Sequence, residues 1–313
     1  MNPAKVLLSA LLVVGLARLT VEAQERRRRR LPEGVETLRD IEYGKGGKTS
    51  LLLDLYRPAD RGEDPLPAVV WIHGGGWRGG GKANGENAAY LAAHGYVAVS
   101  IDYRLSGVAP FPAAVEDCKC AVRWLRAHAR EYGVDPDRIG VWGGSAGGHL
   151  ALMVGLADAG AGLEGNGGWK DVSSRVAAVC NWFGPADMTV LTGKQSPLSD
   201  SPVTQFLGGA PEEIPELYAL ASPVTHASKD DPPTLLVHGD RDAMVPLSQS
   251  EAMLARLEEV GVERELLVVK NAAHGFKPSG GEPEPDHDGI LDRCRAFFDE
   301  HLRGDAERVP REK

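Results

Sequence analysis

A serine flanked by glycines lies between two apolar stretches near the middle of the chain. Ser145 stands in the sequence Gly-Gly-Ser-Ala-Gly of residues 143–147, after a predicted buried strand at residues 137–142 and before a predicted helix at residues 146–156. Small neighbours permit a turn tight enough to expose the serine hydroxyl where the helix begins. The N–H groups at a helix start favour negative charge, so the turn suits a nucleophile. By itself the motif is equally compatible with a glycine-rich turn and a capping serine.

A serine hydroxyl at neutral pH needs a base within reach, and the base needs a third group that orients it. His274 follows the last predicted strand, and both Asp240 and Asp242 follow the strand before it. These residues therefore lie at the carboxyl ends of parallel strands, at the same sheet edge as Ser145. The chain order serine, aspartate, histidine is one of the known orders of a catalytic triad. We predict Ser145 as nucleophile and His274 as base, with Asp242 or Asp240 as the acid.

A glycine-rich loop follows the strand that ends at residue 72. Residues 73–77 read His-Gly-Gly-Gly-Trp, and backbone without side chains lets N–H groups approach a tetrahedral oxyanion closely. We predict the N–H groups of Gly75, Gly76 and Ala146 as the oxyanion hole. The loop lacks the Gly-Lys-Ser/Thr ending of a phosphate-binding loop.

The rest of the chain alternates predicted strands and helices. A hairpin of residues 36–43 and 50–56 comes first. An apolar run typical of a strand buried on both faces occupies residues 68–72, and residues 96–101 predict another buried strand. Further strands are predicted at residues 176–182, 234–238 and 265–269. Helices are predicted at residues 86–94, 111–132, 248–260 and 290–302, with apolar residues at helical spacing in the second and third of them. This pattern predicts an α/β fold with a mostly parallel central sheet, helices on both faces and an antiparallel N-terminal edge. Residues 186–231 contain no clear strand and predict a lid or cap insertion.

The two ends of the chain differ from this single domain, which we place at residues 36–303. A lysine, a short apolar run and small residues predict a secretory signal peptide over residues 1–23, with an uncleaved anchor as the alternative. An arginine run makes residues 24–35 a basic, disordered linker, and residues 304–313 form a charged tail. We therefore expect a secreted or periplasmic protein with no stable membrane association after signal cleavage.

Charge and cysteine usage limit the partners. The 313 residues include 44 acidic and 35 basic side chains, a formal net charge of −9, which argues against nucleic acid or an anionic membrane as partner. Cys118, Cys120, Cys180 and Cys294 have no metal-site spacing and demand no disulfide, so we predict buried or free thiols. The sequence indicates no oligomeric state.

Several stretches together resemble those of the α/β-hydrolase carboxylesterases. They are residues 73–80, 100–105, 111–114, 117–118, 132–139, the serine turn, 182–185, 228–233 and 238–242. More specifically, the chain resembles the secreted carbohydrate esterases grouped as bifunctional feruloyl and acetyl-xylan esterases, and more distantly the hormone-sensitive-lipase-like enzymes. The resemblance covers residues 36–303. It implies an α/β-hydrolase fold, no metal or organic cofactor, and an acid on the last aspartate of the His-Gly-x-x-Asp pattern, Asp242.

These observations predict a secreted serine carboxylesterase that hydrolyses short acyl or hydroxycinnamoyl esters on plant polysaccharide, as acetyl-xylan or feruloyl esterases do. Trp77 and Trp182 follow predicted strand ends and could stack on an aromatic acyl group, although simple packing explains them equally well. The alternatives are a lipase, a general carboxylesterase or an amidase of the same fold. A non-catalytic binding protein with a hydrolase fold is the alternative of another class. The polar, proline-broken stretch at 186–231 favours a non-lipase.

Overall fold

A computed structural model describes residues 31–191 and 202–303 of the chain. Within these residues eight strands join in one sheet: β1 (Val35–Gly46), β2 (Thr49–Pro58), β3 (Leu66–Ile72), β4 (Val97–Ile101), β5 (Val134–Gly144), β6 (Ala178–Trp182), β7 (Thr234–Gly239) and β8 (Arg264–Val269). Their order across the sheet is β1-β2-β4-β3-β5-β6-β7-β8. A second, two-stranded sheet pairs β9 (Ala272–Ala273) with β10 (Lys277–Pro278).

The large sheet is antiparallel only at its N-terminal edge. β1 pairs with β2 as a hairpin, and β2 pairs antiparallel with β4. Every other neighbouring pair, from β4 through β3 to β8, is parallel. The predicted mostly parallel sheet with an antiparallel N-terminal edge is confirmed, and its parallel strands all end at one edge.

Helices cover both faces of this sheet. They are α1 (Glu86–Ala93), α2 (Ala113–Ala127), α3 (Ala129–Tyr132), α4 (Ala146–Leu156), α5 (Pro202–Leu207), α6 (Pro215–Leu220), α7 (Ser248–Glu259) and α8 (His287–Leu302). Side chains of successive strand residues point to opposite faces, so Val70 and Ile72 meet the core under α2, α4 and α7. Val69 and Trp71 meet the second core, under α1 and α8. Burial on both faces explains why the central strands are apolar throughout.

Two predicted boundaries are wrong. The helix expected at residues 111–132 is divided into α2 and α3, because the backbone of His128 leaves the helical region at φ −102°, ψ 16°. Its ring stabilises the break, since Nδ1–H donates to the carbonyl of Trp124 at 2.8 Å. At the N-terminus, Leu31 and Val35 pack against the second core, so the end of the expected linker belongs to the folded domain.

The predicted insertion is partly described. Residues 186–191 and 202–231 contain α5, α6 and a 3-10 turn at Pro223–Thr225, and no strand is found in these described parts. A lid role stays a prediction. The signal peptide, most of the basic linker and the charged tail fall outside the described residues. In the part of the chain that the structure describes, no helix is long and apolar enough to cross a membrane. All four cysteines are buried free thiols.

Candidate active site

The turn between β5 and α4 holds Ser145 in a backbone conformation that L-residues rarely adopt. Its φ is 56° and its ψ is −121°. Two hydrogen bonds hold the turn on either side: Ser145 N–H donates to the carbonyl of Trp182 at 2.8 Å, and His149 N–H donates to the carbonyl of Ser145 at 3.0 Å. The surrounding structure therefore maintains a strained turn that presents the serine hydroxyl.

Glycines are required around this turn because main chain lies where a side chain would be. A Cβ at Gly147 would overlap the carbonyl oxygens of Ile72 and His73 at the end of β3. A Cβ at Gly143 would overlap the carbonyl oxygen of Gly147. Such overlaps can be relieved only by moving the backbone. The glycines thus let α4 begin directly against the strand that leads into the glycine-rich loop.

The structure brings together the serine, histidine and aspartate that the sequence singles out. His274 Nε2 lies 3.0 Å from Ser145 Oγ, and His274 Nδ1 lies 2.7 Å from Asp242 Oδ2. Because the carboxylate only accepts, Nδ1 carries the proton and donates to Asp242. Nε2 is then free to accept the serine hydroxyl proton. This is the arrangement a general base needs before attack by the serine.

The carboxylate of Asp242 is buried and fully engaged. Its Oδ1 accepts from the N–H groups of Met244 and Val245, each at 2.9 Å. Burial by itself would raise the pKa of Asp242. The imidazoles of His238 and His274 and the Val245 amide outweigh burial and hold that pKa well below its usual range. Asp242 therefore stays ionised beside His274 at neutral pH.

The competing carboxylate, Asp240, faces a different environment. Its side chain is exposed, and Oδ1 accepts from the N–H of Ala272 at 3.3 Å. Of the two aspartates that the sequence leaves open, only Asp242 contacts His274. The two residues therefore offer a matched pair for mutation.

The glycine-rich loop passes directly beside the serine. A Cβ at Gly74 would lie 3.3 Å from the Cβ of Ser145. Gly75 and Gly76 have φ values of 119° and 60°, and among the described residues neither amide donates to a backbone carbonyl. Ala146 is the first residue of α4, where an N–H has no partner within the helix. The loop and the start of α4 therefore adjoin the serine turn, and the oxyanion-hole role of the three N–H groups stays a prediction.

Trp77 is a packing residue. It is 1 % exposed and stacks on Phe206 of α5, with 4.7 Å between ring centroids. Its Nε1–H donates to His149 Nδ1 at 3.2 Å, and His149 Nε2 donates to the carbonyl of Ala221 at 2.8 Å. A buried ring has no free face for an acyl group. Instead, Trp77 and His149 tie the glycine-rich loop and α4 to the insertion.

Trp182 is likewise enclosed. It is 5 % exposed and lies edge-to-face against Trp71 and Trp142, while its Nε1–H donates to Cys294 Sγ at 3.1 Å. Packing therefore explains Trp182 better than contact with a substrate. The aromatic residue that does touch the site is the next one, Phe183, whose ring lies 4.8 Å from the ring of His274.

The sequence reasoning missed Phe183, His149 and His238. His149 lies in the first turn of α4, directly after the serine turn, and this position could have singled it out. His238 carries no comparable signal. It is buried in β7, contacts Ser250 Oγ at 2.7 Å and lies 3.6 Å from Asp242 Oδ2. Within residues 31–191 and 202–303, no group of three or more metal-binding side chains is close enough to hold a metal ion.

His149 should make the protein sensitive to acid. Burial lowers its pKa to about 4, with the Ala221 carbonyl opposing and His226 adding to the shift. A histidine whose folded pKa lies below its unfolded value of 6.5 contributes stability above pH 6.5, which is lost as the pH falls towards 4. We expect His149 to account for a loss of about 1.4 kcal/mol in unfolding free energy per pH unit in that window.

Urea unfolding of wild type and His149→Gln between pH 4 and pH 7.5 measures this contribution. The variant should show a shallower loss of stability on acidification. His94→Gln, which removes an exposed histidine, serves as the control and should follow the wild-type curve. If the unfolding free energy fell with pH equally in wild type and His149→Gln, His149 would not be buried in its neutral form.

Family and sequence comparisons both relate this chain to esterases. The family model described as BD-FAE matches residues 53–257. Esterase LipQ of Mycobacterium tuberculosis is 32% identical over 244 residues, which are 76% of this chain and 56% of LipQ. The chain spans about half the length of the curated relatives it matches.

Solved structures match along most of their length. A truncated carbohydrate esterase from gut microbiota aligns with a TM-score of 0.72 and 28% identity, covering 86% of this chain and 96% of the other. The thermophilic esterase Est2 of Thermogutta terrifontis aligns with a TM-score of 0.71 and 29% identity, covering 89% and 98%. Alignment over most of both chains at these TM-scores shows a shared fold.

Proposed function

Because the chain belongs to the BD-FAE family and has the α/β-hydrolase fold, we propose that it is a serine carboxylesterase. Ser145 is the nucleophile, His274 the general base and Asp242 the acid that orients it. One observation carries this assignment: an unbroken path of hydrogen bonds runs from Ser145 Oγ through both nitrogens of His274 to Asp242 Oδ2.

The reaction proceeds in two halves. Ser145 Oγ bonds to the ester carbonyl carbon while its proton passes to His274 Nε2. The carbonyl electron pair moves onto the oxygen, and the resulting oxyanion is bound by the N–H groups of Gly75, Gly76 and Ala146. Collapse breaks the bond to the alcohol oxygen, which takes the proton from Nε2. Water then attacks the acyl-enzyme with the same proton transfers, releasing the carboxylic acid. Asp242 stabilises the imidazolium that forms in each half.

The strained serine favours a catalyst over a binding protein. Holding Ser145 in its positive-φ conformation costs of order 1–3 kcal/mol, and Asp242 is a buried charge. A binding protein gains nothing from either feature. An activated nucleophile requires both, because the turn presents the hydroxyl and the carboxylate fixes the tautomer of His274.

For the substrate, we propose short acyl or hydroxycinnamoyl esters on plant polysaccharide. The support is a structural neighbour described as a carbohydrate esterase and another described as a bifunctional GH43-CE from Bacteroides eggerthii. In the described parts of the insertion, residues 186–191 and 202–231, Val190 is the one large apolar side chain that is exposed. We expect release of acetate from acetylated xylan or of ferulate from methyl ferulate. For p-nitrophenyl esters, kcat/KM should fall steeply beyond about six acyl carbons, since a short pocket cannot gain the ~0.8 kcal/mol per buried CH₂.

A substrate panel separates this proposal from its alternatives. It compares acetylated xylan, methyl ferulate, tributyrin, a long-chain triglyceride emulsion and p-nitroacetanilide. Strong activity on the emulsion with none on either carbohydrate-type ester would identify a lipase. Faster cleavage of the anilide than of p-nitrophenyl acetate would identify an amidase.

We also propose that the protein is exported, on the evidence of the signal-peptide pattern at residues 1–23. Expression of the full chain in a bacterial host should yield a mature protein in the periplasm or medium whose first residue is Gln24. Mass spectrometry of the intact protein measures this. A protein that retains Met1 in the cytoplasmic fraction would contradict export.

A further inference from the structure

A long irregular segment connects α4 to β6. It comprises residues 157–177 and contains only one 3-10 turn, at Ala159–Ala161. Connections longer than about 12–15 residues without secondary structure are uncommon in folded domains, and those that persist are usually functional. The proposed ester hydrolysis uses no residue of this segment, which we call the 157–177 loop.

Three basic side chains on one face of α2 hold the 157–177 loop in place. Lys119 Nζ donates to Glu164 Oε1 at 2.9 Å, and Arg123 Nη1 donates to Glu164 Oε2 at 2.7 Å. Arg123 Nε also donates to the carbonyl of Gly168 at 3.2 Å, and Arg126 donates to two carbonyls near the end of the loop. Lys119 and Arg123 are buried and Glu164 is partly exposed, so buried cations hold the middle of the loop while Arg126 holds its end at the surface. The loop is therefore fixed before any ligand arrives.

This anchored loop presents a tryptophan at the surface. Trp169 is 39 % exposed, and its backbone has a φ of 59°. Its Nε1–H donates to the carbonyl of Tyr43 at 3.0 Å, and its ring stands edge-on to His128 with 4.6 Å between centroids. The ring is therefore held in one orientation while a large apolar surface remains in water. An aromatic ring that is already held in one orientation loses little side-chain freedom when a ligand packs on it.

Trp169 lies on an open groove of about 330 Å³ between β1 and the 157–177 loop. We call it the Trp169 groove. Its other lining residues include Glu42, Lys45 and Gly167. Glu42 and Lys45 are solvent-exposed, with Lys45 Nζ 3.8 Å from Glu42 Oε1. The groove thus combines one aromatic ring with a carboxylate acceptor and an ammonium donor.

This combination matches the chemistry of a sugar ring. One side of a pyranose consists of C–H groups, which carry slight positive charge and pack on the negative face of an aromatic ring. The hydroxyl groups at its rim both donate and accept, so a carboxylate and an ammonium can each bind them. A lipid chain would meet the charged side chains of Glu42 and Lys45 here, and a polyanion would meet the carboxylate of Glu42.

The β1 side of the Trp169 groove lies at the same edge of the sheet as the serine turn. β1 and β4 both run antiparallel to β2, so β1 is parallel to the strands that lead to the serine turn. Leu53 of β2 pairs with Ile41 of β1 on one side and with Ile101, the last residue of β4, on the other. Ile41 is therefore level with the end of β4, and residues 42–46 of β1 extend beyond it. Four strand spacings separate β1 from β5, which is ~19 Å along the edge at ~4.8 Å each. An extended polysaccharide can reach both places.

We propose that the Trp169 groove binds pyranose units of the polysaccharide whose esters are cleaved at Ser145. The inference rests on the proposed polysaccharide substrate. Binding a remote part of the same chain raises the effective concentration of its ester groups at the serine. The groove then affects polymeric substrates and leaves small esters unaffected.

The test measures binding and catalysis separately. Affinity for deacetylated xylan is measured by affinity electrophoresis, and kcat/KM is measured on p-nitrophenyl acetate and on acetylated xylan. Trp169→Ala should weaken xylan binding about tenfold or more and reduce kcat/KM on acetylated xylan, with p-nitrophenyl acetate hydrolysis unchanged. The control is Val268→Ala, which alters an exposed apolar residue on β8 at the opposite edge of the sheet and should change neither quantity.

A second variant keeps the tryptophan and its packing. Glu42→Gln combined with Lys45→Ala removes the polar groups of the groove from exposed positions and should also weaken xylan binding. Wild-type binding in both groove variants, or no xylan binding by the wild type, would overturn the groove proposal. Xylan binding that depends on Trp169, without any release of acetate from acetylated xylan, would support the groove and contradict the proposed substrate.

Discussion

Replacing Ser145 by alanine is expected to reduce kcat for p-nitrophenyl acetate on the order of 10³-fold or more. The substitution removes the hydroxyl that attacks the carbonyl carbon, while His274 and Asp242 remain hydrogen-bonded to each other. The backbone hydrogen bonds of the turn do not involve the hydroxyl, so the fold should persist. Steady-state kinetics on the purified variant measure the loss.

Two controls accompany this variant. Its thermal unfolding midpoint should match that of the wild type, which separates loss of chemistry from loss of fold. Any weak residual hydrolysis should come from the oxyanion hole alone and should show no burst of p-nitrophenol. Substantial esterase activity with a normal burst would mean that another residue is the nucleophile.

Asp242→Asn is expected to lower kcat by about 10³-fold or more, whereas Asp240→Asn should remain close to wild type. An asparagine at 242 can turn its NH₂ group towards His274 Nδ1. Nδ1 must then act as a hydrogen-bond acceptor and cannot carry the ring proton. The proton moves to Nε2, where it faces Ser145 Oγ as a donor and blocks proton abstraction. Asp240 lies two residues away and touches Ala272 instead, so its variant keeps His274 in the correct tautomer.

The comparison is made with kcat/KM on p-nitrophenyl acetate for both variants at pH 8. Proton NMR of the imidazole N–H resonances reports which nitrogen of His274 is protonated. If Asp240→Asn were the more damaging change, Asp240 would be the acid, and the geometry around His274 would differ from that described here.

Much of the fold could be predicted because the physical signals are local. The central strands are buried on both faces and so read as unbroken apolar runs, and their parallel arrangement places Ser145, Asp242 and His274 at one edge. Such signals predict which residues lie at the carboxyl edge of the sheet but not the direction in which each side chain points. Asp240 and Asp242 lie in the same loop, and only the folded path of that loop decides which of them contacts His274.

Other features depend on long-range packing and leave little trace in the sequence. Trp77 and Trp182 follow strand ends as expected, yet their rings point into the core because Phe206 and Trp142 are there to receive them. The division of the helix at His128 involves neither proline nor glycine. The surface tryptophan, Trp169, depends on basic residues of α2 that are some fifty positions earlier in the chain.

Covalent labelling tests the central claim most directly. A fluorophosphonate reacts only with a serine whose proton is removed by an adjacent base, so it reports on the whole path from Ser145 to Asp242. We expect a single adduct in the intact mass, located by peptide mapping on Ser145. Labelling should be absent in Ser145→Ala and far slower in Asp242→Asn than in Asp240→Asn. An adduct on a different serine, or equal labelling of Ser145→Ala, would contradict the account.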